Sequence, residues 1–163
     1  MEASAIPGYF YATIGDSERV VPFMQFNVYH GTSDLSHEAC LKQGGLPMRG
    51  NDIDLIRHAE PPPERLALSA FIGTVPFPRA PGYDAGAVYW AKEGGWVYHI
   101  HSWPGYDLNS VLEGRIPDGM GGYRGLKHCG EQEIAIPAAV PLSSIQRVGI
   151  VERLRGGLAV KWN

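Results

Sequence analysis

The stretch GEQEIAIPAAVPLSSIQRVGIV, residues 130–151, decides how this chain is read. Its first part, EQEIAIP, puts two carboxylates at the mouth of an apolar run. On an extended strand, residues two apart share a face. Glu131 and Glu133 are therefore expected side by side, with Gln132 turned away. Like charges so placed each disfavour ionisation of the other. Its end runs on into IQRVGIVERL (145–154), expected to be a strand, and GLAVKW is expected to pair with it across Arg155-Gly156-Gly157.

Working back toward the N-terminus, strands and short helices alternate irregularly. PFMQFNVYHGTS (22–33) reads as a buried strand that breaks at Gly31. SHEACLKQGG is a short helix capped by Ser36 and ended by Gly44-Gly45. DIDLIRHAE (52–60) is another, stopped by three prolines. LALSAFIGTV (66–75) is a strand and PFPRAPGY a loop. DAGAVYWAKEGG is a helix capped by Asp84, and GWVYHIHSW a strand. YDLNSVL enters a helical turn. EGRIPDGMGGYRGLKHCG (113–130) is rich in glycine, lacks periodicity and is expected to be a loop. Helices fall early and strands late, which indicates an α+β fold in one domain spanning 1–163. The glycine signatures of Rossmann and P-loop sites are absent.

Composition narrows the function. Hydrophobic residues are 44% of 163, enough for one core, and 21 glycines with 13 prolines suit many turns. A net charge of −3 does not favour generic phosphate binding. No run approaches the about 20 apolar residues of a membrane span, and no signal peptide is evident at the N-terminus. Cys40 and Cys129 read as two lone thiols in a reducing setting rather than a disulfide. His99 and His101 share a strand face, but no further ligands at metal-site spacing accompany them, so no metal is expected.

Three blocks, taken in order, resemble the cholera toxin A1 and heat-labile enterotoxin family of mono-ADP-ribosyltransferases. They are VYHGTSDLSHEACLKQGGLPMRG, then SAFIGTV with AGAVYWAKEGGWVYHIHSWPGYDLNSVLEG, then the opening stretch. The order and approximate spacing hold from about Val28 to Val151. Two positions depart from the family. Its first arginine is here His30, closer to the diphtheria-toxin and poly-ADP-ribose polymerase branch. Its Ser-Thr-Ser strand end is here Gly73-Thr74-Val75.

The resemblance implies an ADP-ribosyltransferase fold, with two antiparallel β-sheets forming an NAD cleft. It implies an enzyme that cleaves NAD, releases nicotinamide and transfers ADP-ribose, without a metal. Glu133 matches the essential glutamate, whose charge stabilises a cationic ribose in the transition state. Glu131 is implied to serve an arginine acceptor on a target protein, since a guanidinium fits a carboxylate fork. His30, Gly31 and Thr32 are implied to hold NAD, with Thr74 bracing Glu133. Phe77 or Tyr89 is implied to stack on nicotinamide, Tyr83 being a third candidate. Tyr123, Arg124 and His128 are the implied acceptor-loop contacts. The implied setting is a secreted or injected toxin domain acting in a target cell's cytoplasm, with an immunity or activator partner and no membrane. The alternatives are an NAD glycohydrolase, an enzyme modifying guanine or RNA, and a non-catalytic binding module of the same fold.

Overall fold

The computed structural model describes residues 11–15, 17–20, 24–47, 50–60, 69–79, 86–125, 132–137 and 139–163, with backbone alone for 11 and 17–20. In chain order the elements are β1 (Tyr11–Ile14), β2 (Ser17–Val20), β3 (Met24–Thr32), α1 (His37–Gln43) and β4 (Gly45–Leu46). Next come α2 (Leu55–Ala59), β5 (Phe71–Thr74), α3 (Ala87–Ala91), β6 (Trp96–Asp107) and α4 (Leu108–Val111). The hairpin β7 (Arg115–Pro117) and β8 (Tyr123–Gly125) precedes β9 (Ile134–Pro137) and β10 (Val140–Pro141). A 3₁₀ turn at Leu142–Ser144 leads into β11 (Ile145–Leu154) and β12 (Gly157–Trp162).

The long strand β6 organises the molecule. Its residues 96–100 pair antiparallel with β11 on one side, β3 pairs with it from Trp96 to Gly105 on the other, and β12 extends the sheet beyond β11. Its last residues, Tyr106 and Asp107, pair instead with β9, which pairs with β5. The strand bends where it passes between the two groups. Ser102 sits at φ 49, opposite a register shift between Phe26 and Val28. Asn27 Oδ1 accepts the Ser102 amide at 3.0 Å and holds the bulge. Tyr29 and Val75 exchange backbone hydrogen bonds of 2.8 and 3.0 Å, so the two sheet groups also meet where β3 passes the end of β5.

The core explains this course. All four residues of β9 are buried. Ile134 and Ile136 pack with Val28, Tyr98 and Ile100, while Ala135 packs with Leu55, Phe71 and Tyr106. A strand covered on both faces reads as a continuous apolar run, as IAIP does. The helix α3 lays Ala87, Val88 and Ala91 against Val97, Val151 and Leu158.

Several expectations hold as stated. Ser36 Oγ accepts the Ala39 amide at 3.2 Å, and Gly44 ends α1 at φ 78. The terminal hairpin pairs Leu154 with Gly157. Others need correction. Gly31 does not break β3, because without a Cβ it continues the strand beneath the start of α3. The helix expected over 52–60 begins at Leu55, since Asp52 forms a bridge with Ser69 and Asp54 becomes the cap. The strand expected over 66–75 is regular over Phe71–Thr74. The helix expected to run to Gly94-Gly95 ends at Ala91, where Lys92 turns to φ 65, and Asp84 lies outside the described residues. GWVYHIHSW continues through Pro104 and Gly105 to Asp107. The segment 113–130 is not all loop, because Asp118 closes the β7–β8 hairpin by accepting the Met120 and Gly122 amides at 2.7 and 3.0 Å. Those bonds hold its carboxyl below the usual carboxylate value. The strand expected from Glu131 starts at Ile134. Gln132 takes φ 55 and breaks the alternation on which a side-by-side glutamate pair depends. Glu131 lies outside the described residues.

Candidate active site

An open cleft of about 320 Å³ lies where β3, β5, α3 and the entry to β9 converge. His30, Gly31 and Thr32 line it from β3, Gly73 and Thr74 from β5, and Glu133 from just before β9. The structure thus brings together five sequence-derived candidates, His30, Gly31, Thr32, Thr74 and Glu133, from three separate stretches. Pairing of β5 with β9, Thr74 opposite Ile134, sets Glu133 beside the end of β5.

Gly31 is required by close approach, because a Cβ there would lie 1.9 Å from the Ala87 carbonyl oxygen. The start of α3 can therefore dock on β3, bringing Ala87 and Trp90 to the cleft wall. These two are three apart on a helix and share a face, whereas Tyr89 points away and is exposed. Phe77 is half-buried; it and Tyr89 lie outside the set of cleft-lining residues. The aromatics that line the cleft are Trp90 and Tyr29, both of which the sequence reading misses.

His30 Nδ1 donates to the Gly73 carbonyl at 2.8 Å, which ties β3 to β5 across the cleft. In a neutral ring that assignment makes Nε2 an acceptor, suited to a hydroxyl. Thr74 is buried and its Oγ1 donates to the Ile134 carbonyl at 2.6 Å. It therefore braces the backbone next to Glu133 rather than the carboxylate itself.

The carboxylate has a different partner. His58 Nε2 lies 2.6 Å from Glu133 Oε2, and His58 Nδ1 lies 2.7 Å from Ser69 Oγ. The side chains of His58 and Glu133 are 9% and 24% exposed. His58 is not among the sequence candidates. It sits on α2, 75 residues from its partner, and no local pattern marks it.

The short helix α2 is firmly staked. Asp54 caps it, accepting the Arg57 amide at 3.0 Å and the Thr13 hydroxyl at 2.8 Å. Arg57 forms a two-point ion pair with Asp52 at 2.7 and 2.9 Å. Beyond its end, Glu60 takes Arg124 of β8 at 2.5 and 3.1 Å. Arg124 is thus held by a carboxylate, and Tyr123 packs under Arg115 with 4.3 Å from guanidinium carbon to ring centroid. Both stand apart from the cleft lining; His128 and Tyr83 lie outside the described residues.

Other reactive groups are remote from this chemistry. Cys40 is a free, buried thiol, and burial pushes its pKa up despite a hydrogen bond with Tyr98. Cys129 lies outside the described residues. Among the described residues no three His, Cys, Asp or Glu side chains gather to hold a metal, and no helix is long and apolar enough to cross a membrane.

No protein-family model matches the chain, and no curated protein matches it. Solved structures do. A single-residue variant of the Scabin toxin from Streptomyces scabies aligns at TM-score 0.56 and 18% identity, covering 86% of this chain and 72% of that one. Scabin toxin in complex with NADH aligns at TM-score 0.54 and 18% identity, covering 86% and 71%. A guanine-specific ADP-ribosyltransferase with NADH and GDP aligns at TM-score 0.53 and 15% identity, covering 100% of this chain and 85% of that one. The neighbours replace the cholera toxin A1 family as the structural reference, and with them the chain shares the ADP-ribosyltransferase fold.

Proposed function

We propose that this chain cleaves NAD at the bond between nicotinamide and ribose and transfers the ADP-ribose to an acceptor. The observation that carries this reading is the Glu133 carboxylate, anchored through one oxygen in an open cleft that His30 also lines. The fold is shared with structures solved with NADH. As the C1′–N bond breaks, nicotinamide leaves with the bonding electron pair and positive charge develops on the ribose. A fixed carboxylate beside that ribose stabilises the charge. The acceptor's lone pair then forms the new bond to C1′, and the acceptor gives up one proton.

The acceptor is arginine on a target protein, and Glu131 supports it. What favours this is sequence: a second carboxylate two residues before Glu133. A second reading, a guanine base, is favoured by likeness to the guanine-specific enzyme solved with GDP. The setting in either case is a toxin or effector domain acting inside a target cell, in keeping with the Scabin toxins.

The test is incubation with NAD labelled in the adenylate moiety and a cell lysate, followed by protease or nuclease. Label released by protease alone supports the protein acceptor, and label released by nuclease alone supports the base. Nicotinamide release without labelled polymer makes the chain a glycohydrolase. No turnover overturns the enzymatic reading. Glu131→Ala is expected to keep nicotinamide release within about threefold while transfer falls on the order of 10²-fold. Equal losses in both would remove Glu131 from the acceptor step.

A further inference from the structure

We propose that Asp34 makes the cleft selective for NAD over NADP: its carboxylate takes the hydroxyl pair of the adenosine ribose and repels a phosphate placed there. This rests on the reading of the chain as an NAD-cleaving enzyme. A second concavity, of about 180 Å³, adjoins the cleft. The two share His30 and Asp34 and no other lining residue. Its further walls include Leu35, Leu46 and Ile72, with the Gln43 amide among them. A dinucleotide whose nicotinamide ribose lies at Glu133 has one more ribose and one more base to place. Apolar walls with a single amide suit a flat purine. With the purine there, the second ribose falls between the two concavities, at Asp34.

A fixed turn presents Asp34 at that junction. Thr32 is buried, and its Oγ1 accepts the Asp34 amide at 3.1 Å. On the other side, the Leu35 carbonyl accepts the hydroxyl of the buried Tyr98 at 2.7 Å. The backbone is thus held before and after Asp34, while its side chain is exposed. Oδ1 accepts the Ser33 hydroxyl at 3.3 Å, and Oδ2 has no partner among the described residues. A carboxylate so placed accepts hydrogen bonds from a ribose diol. A 2′-phosphate removes one of those donors and brings a further charge of about −1.5 to −2. Among the described residues no Lys or Arg lines either concavity to offset that charge.

The experiment is steady-state nicotinamide release from NAD and from NADP by wild-type protein, Asp34→Asn and Asp34→Arg, at one ionic strength, with thermal unfolding of each. Wild type is expected to prefer NAD on the order of 10²-fold in kcat/KM. Asp34→Asn should reduce that preference at least about tenfold, and Asp34→Arg should bring it near parity. Because Asp34 stands away from the reacting bond, the change should lie in KM, with kcat for NAD within about twofold. Wild type using both dinucleotides equally overturns the proposal, as does a preference that neither folded variant alters. A fall in kcat for NAD at constant KM would also overturn it. Equilibrium binding of ADP-ribose and of its 2′-phosphate reads the same discrimination without turnover, the first expected to bind at least about tenfold tighter to wild type. Equal binding contradicts the role of Asp34. Release of nicotinamide from neither dinucleotide overturns the NAD reading itself, an outcome distinct from release from NAD with an unaltered preference, which overturns the role of Asp34 alone.

Discussion

At the scale of single residues, Gly73 sits at the meeting point of the site. Its carbonyl fixes His30 and its missing Cβ leaves room for Glu133. Gly73→Ala presses on the tip of a flexible side chain rather than on backbone. The expected outcome is a melting temperature within about 3 °C of wild type but nicotinamide release reduced at least about tenfold. A variant that melts early and keeps its specific activity would reverse that reading. Glu133 and His30 can be found in the sequence because each sits in a short, patterned stretch: a carboxylate before an apolar run, and a histidine before Gly-Thr. His58 cannot. Its meaning comes from a partner 75 residues away and from a glycine that has no side chain to announce anything. Trp90 escapes for another reason: which of two adjacent aromatics faces the cleft depends on the phase of a five-residue helix.

At the scale of elements, α2 shows how a very short helix becomes a rigid platform. One turn of helix is marginal in isolation, so its order must come from its ends and its contacts. Asp54 supplies both, as cap and as partner of Thr13, while almost wholly buried. Asp54→Ala is expected to cost about 2 kcal/mol, at the upper end for a cap because the part-buried Thr13 bond is lost as well. It should also lower kcat by loosening His58, and urea unfolding alongside nicotinamide release measures both. The strands show why the glycine-rich segment reads as a loop. β7 and β8 have three residues each and bury one side chain, Ile116, too few to display alternation. Their hairpin is set by the Asp118 turn, and Arg124 ties it to Glu60 at the end of α2.

At the scale of the whole molecule, β6 unites the two sheet groups and carries a half-buried titratable group. His99 stacks on Tyr29 at 4.5 Å, and its Nδ1 is buried without a hydrogen-bond partner among the described residues. Burial first, then the nearby charges of Arg147 and His101, lower its pKa from the usual 6.5. A base whose folded pKa is lowered resists protonation in the folded state, so the unfolded chain binds the extra proton more readily. The stability concerned is fully present above pH 6.5 and is lost as pH falls through the lower, folded value. His99→Phe keeps the stack on Tyr29 and removes the titration. Its melting temperature should fall less than wild type's on acidification below pH 6.5. Parallel curves would remove His99 from the acid sensitivity. The α+β class and the antiparallel character of the late strands are readable from segment order. The bend of β6 at Ser102 and the closure of β3 on β5 are not, since both are set by pairing between distant segments.

The central claim is that Glu133 supplies the charge that stabilises NAD cleavage. Single-turnover release of nicotinamide from saturating NAD, by wild type and by Glu133→Gln, tests it most directly. The glutamine keeps size and hydrogen bonding and removes the charge. The predicted result is release by wild type, a loss on the order of 10³-fold in the variant, and unchanged thermal stability within about 3 °C. Equal rates in two equally folded proteins would contradict the account.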